Sequence, residues 1–148
     1  MSRHLALVLS LVLPGILLLV SLAAAHCEIP CGIYDDEMRI EMLREHITTI
    51  EKSMNQVILL EKDANRKANQ LTRWVMNKEQ HADELQEIVS QYFMTQRLTP
   101  DAKDYASKLQ FLHEMLLAGM KSKQTTDLGQ VKRLRDLVDL FEKAYFVK

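Results

Sequence analysis

The hydrophobic residues of the chain form two kinds of pattern. Leu5 to Leu22 make an almost wholly apolar run, whereas from Asp36 onward the apolar residues recur every three or four positions. That second spacing is typical of amphipathic helices. It predicts a first helix from Asp36 to about Leu60 and a second, the longest, from about Asp63 to Arg97.

Two further helices follow in the same way. Thr99 and Pro100 have the residue types of an N-cap and a first helical position, so they predict the start of the third helix. The polar run from Lys121 to Asp127 separates it from a last helix. The four predicted buried stripes are Leu43, Ile47, Ile50, Met54 and Val57; Leu71, Val75, Ala82, Leu85, Ile88 or Val89 and Tyr92; Tyr105, Leu109, Leu112, Leu116 and Met120; and Val131, Leu134, Val138, Phe141 and Tyr145. Four amphipathic helices with short connections predict an all-α fold, an antiparallel up-and-down four-helix bundle.

Composition agrees with a helical domain and excludes one class of function. The 148 residues include only four glycines and three prolines, which favours helices. The formal net charge is −1, so no basic field marks the chain as a nucleic-acid-binding protein.

The apolar run at the N-terminus has the features of a secretory leader. A short basic start precedes it, and Ala23, Ala24 and Ala25 satisfy the small-residue rule for signal peptidase. The alternative is an uncleaved membrane anchor, because the run is long enough to cross a bilayer. Cleavage after Ala25 predicts a leader over residues 1–25, removed on export across a membrane, then a short segment over 26–34 and the bundle over 35–148.

The new N-terminus would gather an unusual set of metal donors. The chain has two cysteines, Cys27 and Cys31, and both stand just after the predicted cleavage point. With the α-amine and imidazole of His26 they form a set of nitrogen and sulfur donors. Thiolates with nitrogen donors suit nickel or copper better than magnesium, calcium or manganese. Zinc also binds such donors, but it has no redox chemistry.

The segment His-Cys-Glu-Ile-Pro-Cys-Gly-Ile-Tyr, residues 26–34, resembles the H-C-x-x-P-C-G-x-Y nickel hook of the nickel-containing superoxide dismutases. That family has the hook at the mature N-terminus, ahead of a four-helix bundle. The resemblance implies an enzyme that disproportionates superoxide to dioxygen and hydrogen peroxide by Ni(II)/Ni(III) cycling, with one nickel ion per subunit. It also implies a homohexamer and processing by a signal or maturation peptidase.

The resemblance implies roles for the hook residues. His26 would bind nickel through its α-amine and imidazole, Cys27 through its amide nitrogen and thiolate, and Cys31 through its thiolate. Pro30 would shape the hook after a cis peptide bond, and Tyr34 would order water or superoxide at the open face.

Three residues around the hook are also implied. Arg39-Ile40-Glu41 resembles the family's R-I-E, so Glu41 is expected to hydrogen-bond the His26 imidazole, although this chain is one residue shorter between them. Aligning Lys78-Glu79-Gln80 with the family's K-E-Q places His81 where some members have an arginine. Tyr92 resembles the tyrosine that approaches the site from another subunit.

Two other functions are possible for the donors of this segment. An exported nickel- or copper-binding bundle without turnover would need the same donors. A thiol redox protein would use Cys27 and Cys31, although their spacing fits no thioredoxin-like motif.

His46 and His113 have no second metal-binding residue three or four positions on, so both are predicted to be surface or interface residues.

Overall fold

The computed structural model describes residues 30–63 and 67–146. The predicted leader, His26 and Cys27 lie outside them. The chain divides into two compact units after Cys31, and the second unit, from Gly32 on, contains all the helices described below. Within the described ranges, no helix is both long enough and apolar enough to span a bilayer.

The first helix, α1, spans Asp36–Glu61, as predicted. Asp35 caps it, since its Oδ1 accepts a hydrogen bond from the backbone N–H of Met38 at 3.0 Å. The acids Asp36 and Glu37 occupy the first turn, where the positive end of the helix dipole favours them. All five residues of the predicted stripe are buried.

The second helical run differs from the prediction in its start and its winding. Helix α2 spans Ala68–Glu87 and continues into a π-helical segment, Ile88–Arg97. The backbone N–H of Leu98 bonds to the carbonyl of Phe93 at 2.8 Å, which is the five-residue spacing of a π-helix. Val75, predicted to be buried, is exposed. The π-helical segment buries two pairs of residues that are neighbours in sequence, Ile88 with Val89 and Tyr92 with Phe93.

The third helix begins later than predicted. Helix α3 spans Tyr105–Gln124, and Thr99 starts a turn instead, because the N–H of Ala102 bonds to its carbonyl at 3.0 Å. The buried face is also rotated: Met120 is exposed, whereas Ala118 and Gly119 are buried. A Cβ at Gly119 would lie 3.2 Å from Gln86 Cγ, so the missing side chain lets α2 and α3 approach closely.

The last helix, α4, spans Leu128–Phe146 and buries Val131, Leu134, Val138 and Phe141 as predicted. Each helix packs on the next in sequence, and α4 also packs on α1. This closed order is that of an up-and-down four-helix bundle. The all-α fold class is therefore confirmed.

Candidate metal centre

The described part of the hook begins at Pro30. Residues 30–32 form a turn, and the side chain of Cys31 is exposed. Gly32 has φ +75°, and a Cβ built there would meet nothing within 4 Å. Space therefore does not require a glycine at this position. The left-handed backbone conformation does, because a Cβ makes it unfavourable.

The donors of the hook fit nickel by their chemistry. The thiol of Cys31 is exposed. The donors that precede it in the sequence are a second thiol, of Cys27, and the imidazole of His26. Soft sulfur with nitrogen donors is a set that nickel accepts.

Tyr34, the last residue of the hook motif, is exposed, and its ring is packed on two sides. The guanidinium carbon of Arg97 lies 4.3 Å from the ring centroid, within the range of a cation–π interaction. The ring of Tyr92 meets it edge to face, with centroids 5.8 Å apart. These contacts fix the ring and leave the side chain accessible.

Asp36 connects the start of α1 to two other parts of the bundle. Its carboxylate accepts hydrogen bonds from the hydroxyls of Tyr92 at 2.6 Å and Tyr145 at 2.9 Å, and from Arg97 at 2.8 and 2.6 Å. Burial alone would raise the pKa of Asp36, but the hydrogen bonds from Arg97 and the two tyrosines hold it below its usual value. Burial and the bond to Asp36 raise the pKa of Tyr145 to about 12. The same two causes raise that of Tyr92.

The π-helical segment explains why Tyr92 and Arg97 reach the same carboxylate. They are five residues apart, and both contact Asp36 Oδ1. In an α-helix at 3.6 residues per turn, side chains five positions apart point in different directions. The five-residue spacing of the π-helix places them one above the other. Sequence spacing gave no signal of this relationship.

Glu41 lies on the outward side of α1. Its side chain is 71% exposed, and it forms an ion pair with Arg44 at 3.2 Å. Arg44 also reaches Glu142 on α4 at 2.7 Å. The expected hydrogen bond between Glu41 and His26 lies outside the described residues.

Tyr92 is buried beneath Arg39, whose guanidinium carbon lies 5.0 Å from its ring centroid. Among the described residues, Arg39 Nε is a buried side-chain atom without a hydrogen-bond partner. The expected approach of Tyr92 to another subunit stays a prediction.

His81 lies beside His46, and of the two positions predicted for His46, surface or interface, the structure excludes the exposed one. His46 is 9% exposed, and its Nδ1 lies 2.9 Å from His81 Nδ1. Glu84 Oε2 lies 3.4 and 3.5 Å from these two nitrogens. Burial lowers the pKa of His46. His113 is exposed, as predicted.

The grouping of these residues was not predicted from the sequence. His46 is adjacent to Ile47 of the first apolar stripe, and Glu84 is adjacent to Leu85 of the second. A position next to a buried stripe indicates the edge of a helix–helix interface, and this was the signal that could have identified them.

Comparison with known families gives one match. The model of the nickel-containing superoxide dismutase family matches residues 21–148, which include the hook segment and the whole bundle. Neither the comparison with curated proteins nor that with solved structures gave a match. The chain therefore belongs to the nickel-containing superoxide dismutase family, and it is an oxidoreductase that uses nickel to act on superoxide.

Proposed function

We propose that the mature chain binds one nickel ion through a hook made by His26, Cys27 and Cys31. When bound, nickel would supply the change between Ni(II) and Ni(III) that lets one superoxide be oxidised to dioxygen and the next be reduced to hydrogen peroxide. The family match carries this proposal, because the matched residues include the entire hook segment.

The three proposed ligand residues would each contribute nitrogen or sulfur donors to the nickel ion. His26 would offer its α-amine and imidazole, Cys27 its amide nitrogen and thiolate, and Cys31 its thiolate. Thiolates and a deprotonated amide donate more charge than water does, so they favour the higher oxidation state. The exposed position of Cys31 and the left-handed conformation of Gly32 are compatible with a chain that turns back at this point.

Removal of the leader would create the site. While the Ala25–His26 bond is intact, the nitrogen of His26 is an amide and cannot act as an amine ligand. We therefore expect a signal or maturation peptidase to act before nickel is bound, with the protein exported across a membrane. The small residues that end the leader support cleavage at this bond.

Tyr34 is proposed to order the water or superoxide used in the reaction. The peroxide half of the reaction takes up two protons, and an ordered water can relay protons from the solvent. The contacts of Tyr34 with Arg97 and Tyr92 support this role, because they hold the ring in one orientation. Tyr34→Phe keeps the ring and removes the hydroxyl, so it should lower turnover without changing nickel content.

Glu41, His81 and Tyr92 are proposed to surround the hook, on the basis of the sequence resemblance. Glu41 would hold the His26 imidazole, since a hydrogen bond to a ligand's second nitrogen orients it. Glu41→Gln should then slow turnover and leave the two thiolates bound. His81 would stand where some family members have an arginine, and Tyr92 would come from another subunit.

A homohexamer is proposed as the assembly, and exposed apolar side chains on the bundle support association. They include Leu59, Met76, Leu117, Met120 and Leu140. Native mass spectrometry of the purified protein would report the N-terminus, the metal and the number of subunits together.

Loss of nickel from cysteine variants tests the hook. Cys27→Ser and Cys31→Ser should each lose nickel and superoxide turnover, whereas His26→Gln should retain part of the nickel and lose most of the rate. His113→Gln, at an exposed histidine, is the matched control and should change neither. Full turnover in either cysteine variant would show that the hook is not the site. Nickel binding without turnover in the wild type would instead indicate a binding protein.

A further inference from the structure

His46, His81 and Glu84 form a compact group between two helices. His46 comes from α1, whereas His81 and Glu84 stand three residues apart on α2. Each offers one ligand atom toward the other two: Nδ1 of His46, Nδ1 of His81 and Oε2 of Glu84. Metal sites in helix bundles are commonly built in this way, from side chains on facing helices.

We propose that these three residues form a second metal site, for a divalent transition-metal ion that prefers imidazole, with none of the proposed nickel ligands His26, Cys27 and Cys31 in it. His81 would be a ligand here, in place of the role beside the hook that the resemblance implies. Two imidazoles and one carboxylate suit Zn²⁺, Ni²⁺ and Cu²⁺. Mg²⁺ and Ca²⁺ prefer all-oxygen sites and should bind poorly.

The distances allow an ion without movement of the helices. The three atoms form a triangle with sides of 2.9, 3.4 and 3.5 Å. All three corners lie about 1.9 Å from a common centre, slightly less than the ~2.0–2.1 Å of a zinc–nitrogen or zinc–oxygen bond. An ion slightly outside the plane of the triangle would therefore contact all three atoms at ordinary bond lengths, and its outer side could bind water.

The neighbouring contacts orient the carboxylate toward the histidines. Gln80 donates a hydrogen bond from Nε2 to Glu84 Oε1 at 2.8 Å, which leaves Oε2 on the side of the two rings. Such support of a ligand by a second residue is usual in metal sites. His46 is buried, and His81 and Glu84 are half-buried, so an ion could enter from the α2 side.

The protonation state of His46 also suits a ligand. A histidine must be neutral at the nitrogen that binds the metal. Burial lowers the pKa of His46, so its imidazole stays neutral to lower pH than an exposed histidine does. Without a metal, the 2.9 Å separation of the Nδ1 atoms is that of a hydrogen bond in which one ring donates and the other accepts.

Zinc titration of a chain without hook thiols tests the proposal. The mature full-length chain carrying Cys27→Ser and Cys31→Ser would be titrated with Zn²⁺ by calorimetry and examined by native mass spectrometry. We expect one Zn²⁺ per chain, not displaced by excess Mg²⁺. His81→Gln and Glu84→Gln, added to this chain, should each weaken zinc binding at least about 100-fold, since even loss of a supporting residue costs about 10–100-fold. Gln80→Ala should weaken it about 10-fold.

Control variants distinguish a specific zinc site from nonspecific zinc binding by histidines and from misfolding. His113→Gln removes an exposed histidine on α3 and should leave zinc binding unchanged. Far-UV circular dichroism and the melting temperature of each metal-free variant would confirm the fold. The half-buried positions 81 and 84 are used because buried His46 is more sensitive to substitution. Absence of zinc binding, or binding that His81→Gln and Glu84→Gln leave intact, would show that the group is only a hydrogen-bonded pair of histidines.

Discussion

The carboxylate of Asp36 and the guanidinium of Arg97 form a two-point ion pair, with Nε at 2.8 Å from Oδ1 and Nη2 at 2.6 Å from Oδ2. It joins the first residue of α1 to the last residue of the π-helical segment. Arg97 also lies over the ring of Tyr34. By holding the guanidinium of Arg97 in place, Asp36 therefore helps to fix the position of that ring. Asp36 is thus a positioning residue for the end of the hook motif.

Asp36→Asn should lower the free energy of unfolding by about 2 kcal/mol. The substitution removes the charge that accepts four hydrogen bonds, and bonds to charged groups contribute about 1.5–3 kcal/mol. Asp36 is only 15% exposed, so solvent screens the pair weakly. Urea unfolding of the metal-free protein at pH 7 would measure the loss.

Asp139→Asn is the matched control. Asp139 also binds an arginine, Arg44, at 2.8 Å, but its side chain is 67% exposed. An exposed ion pair contributes about 0–1 kcal/mol, so this variant should stay close to the wild type. Equal losses in the two variants would contradict the role assigned to burial at Asp36.

The stability difference between wild type and Asp36→Asn should disappear in acid. The pKa of Asp36 is lowered in the folded protein, so the unfolded chain takes up a proton first as the pH falls. The contribution of the carboxylate is complete above its unfolded pKa of about 3.9 and is lost as the pH falls through the lower, folded value. Unfolding curves at pH 7, 5, 4 and 3 should show a constant difference down to pH 5 and a shrinking one below pH 4. A difference that grows below pH 4 would exclude this linkage.

The sequence predicted those parts of the fold that depend on apolar periodicity. The five stripe residues of α1 and the first four of α4 are buried because they share one face of a regular α-helix. The π-helical segment could not be predicted, since its residues would also have fitted a regular helix. Thr99 and Pro100 likewise suit both a helix start and a turn, and tertiary packing selected the turn.

Gly32→Ala should weaken nickel retention while leaving the bundle unchanged. A residue with a Cβ pays about 1–2 kcal/mol in the left-handed conformation that Gly32 adopts, which corresponds to about 5- to 30-fold in affinity. Gly32→Asn should lose less, because asparagine tolerates this conformation. Competition with a chelator would measure the affinity, and thermal unfolding of the metal-free variants should match the wild type. Wild-type affinity in Gly32→Ala would mean that the nickel-bound hook does not need this backbone conformation.

Lys78→Met should destabilise the bundle by about 1–3 kcal/mol. Buried Lys78 donates from Nζ to the carbonyls of Lys123 at 2.5 Å and Thr125 at 3.2 Å, where α3 ends. A cation at this end also interacts favourably with the helix dipole. Methionine keeps the apolar stem and leaves both carbonyls without their donor.

Lys132→Met provides the comparison for Lys78. Lys132 is exposed and binds Asp136 one turn along the same helix, a pair that contributes about 0.2–0.5 kcal/mol. Chemical unfolding of both variants should therefore give a large loss for Lys78 and a small one for Lys132. A small loss for Lys78 would show that water can replace the lysine at the end of α3.

The candidate sites differ in how far the sequence could predict them. The hook is contiguous, so its donors could be identified by reading nine residues in order. The group of His46, His81 and Glu84 joins positions 35 residues apart through the packing of α1 on α2. The spacing of residues within a single helix does not indicate a contact between two helices. For this reason the spacing of His46 within its own helix predicted only a surface or interface residue.

The hydrogen bond between Tyr145 and Asp36 spans 109 positions of the chain. A protein is synthesised from its N-terminus, so the proposed nickel ligands are made well before Tyr145, the third partner of Asp36. A chain that stopped short of Tyr145 would contain every proposed ligand of the hook. It would nevertheless begin α1 with one of the three partners of Asp36 missing, so the last turn of α4 contributes to how firmly α1 is held at its start.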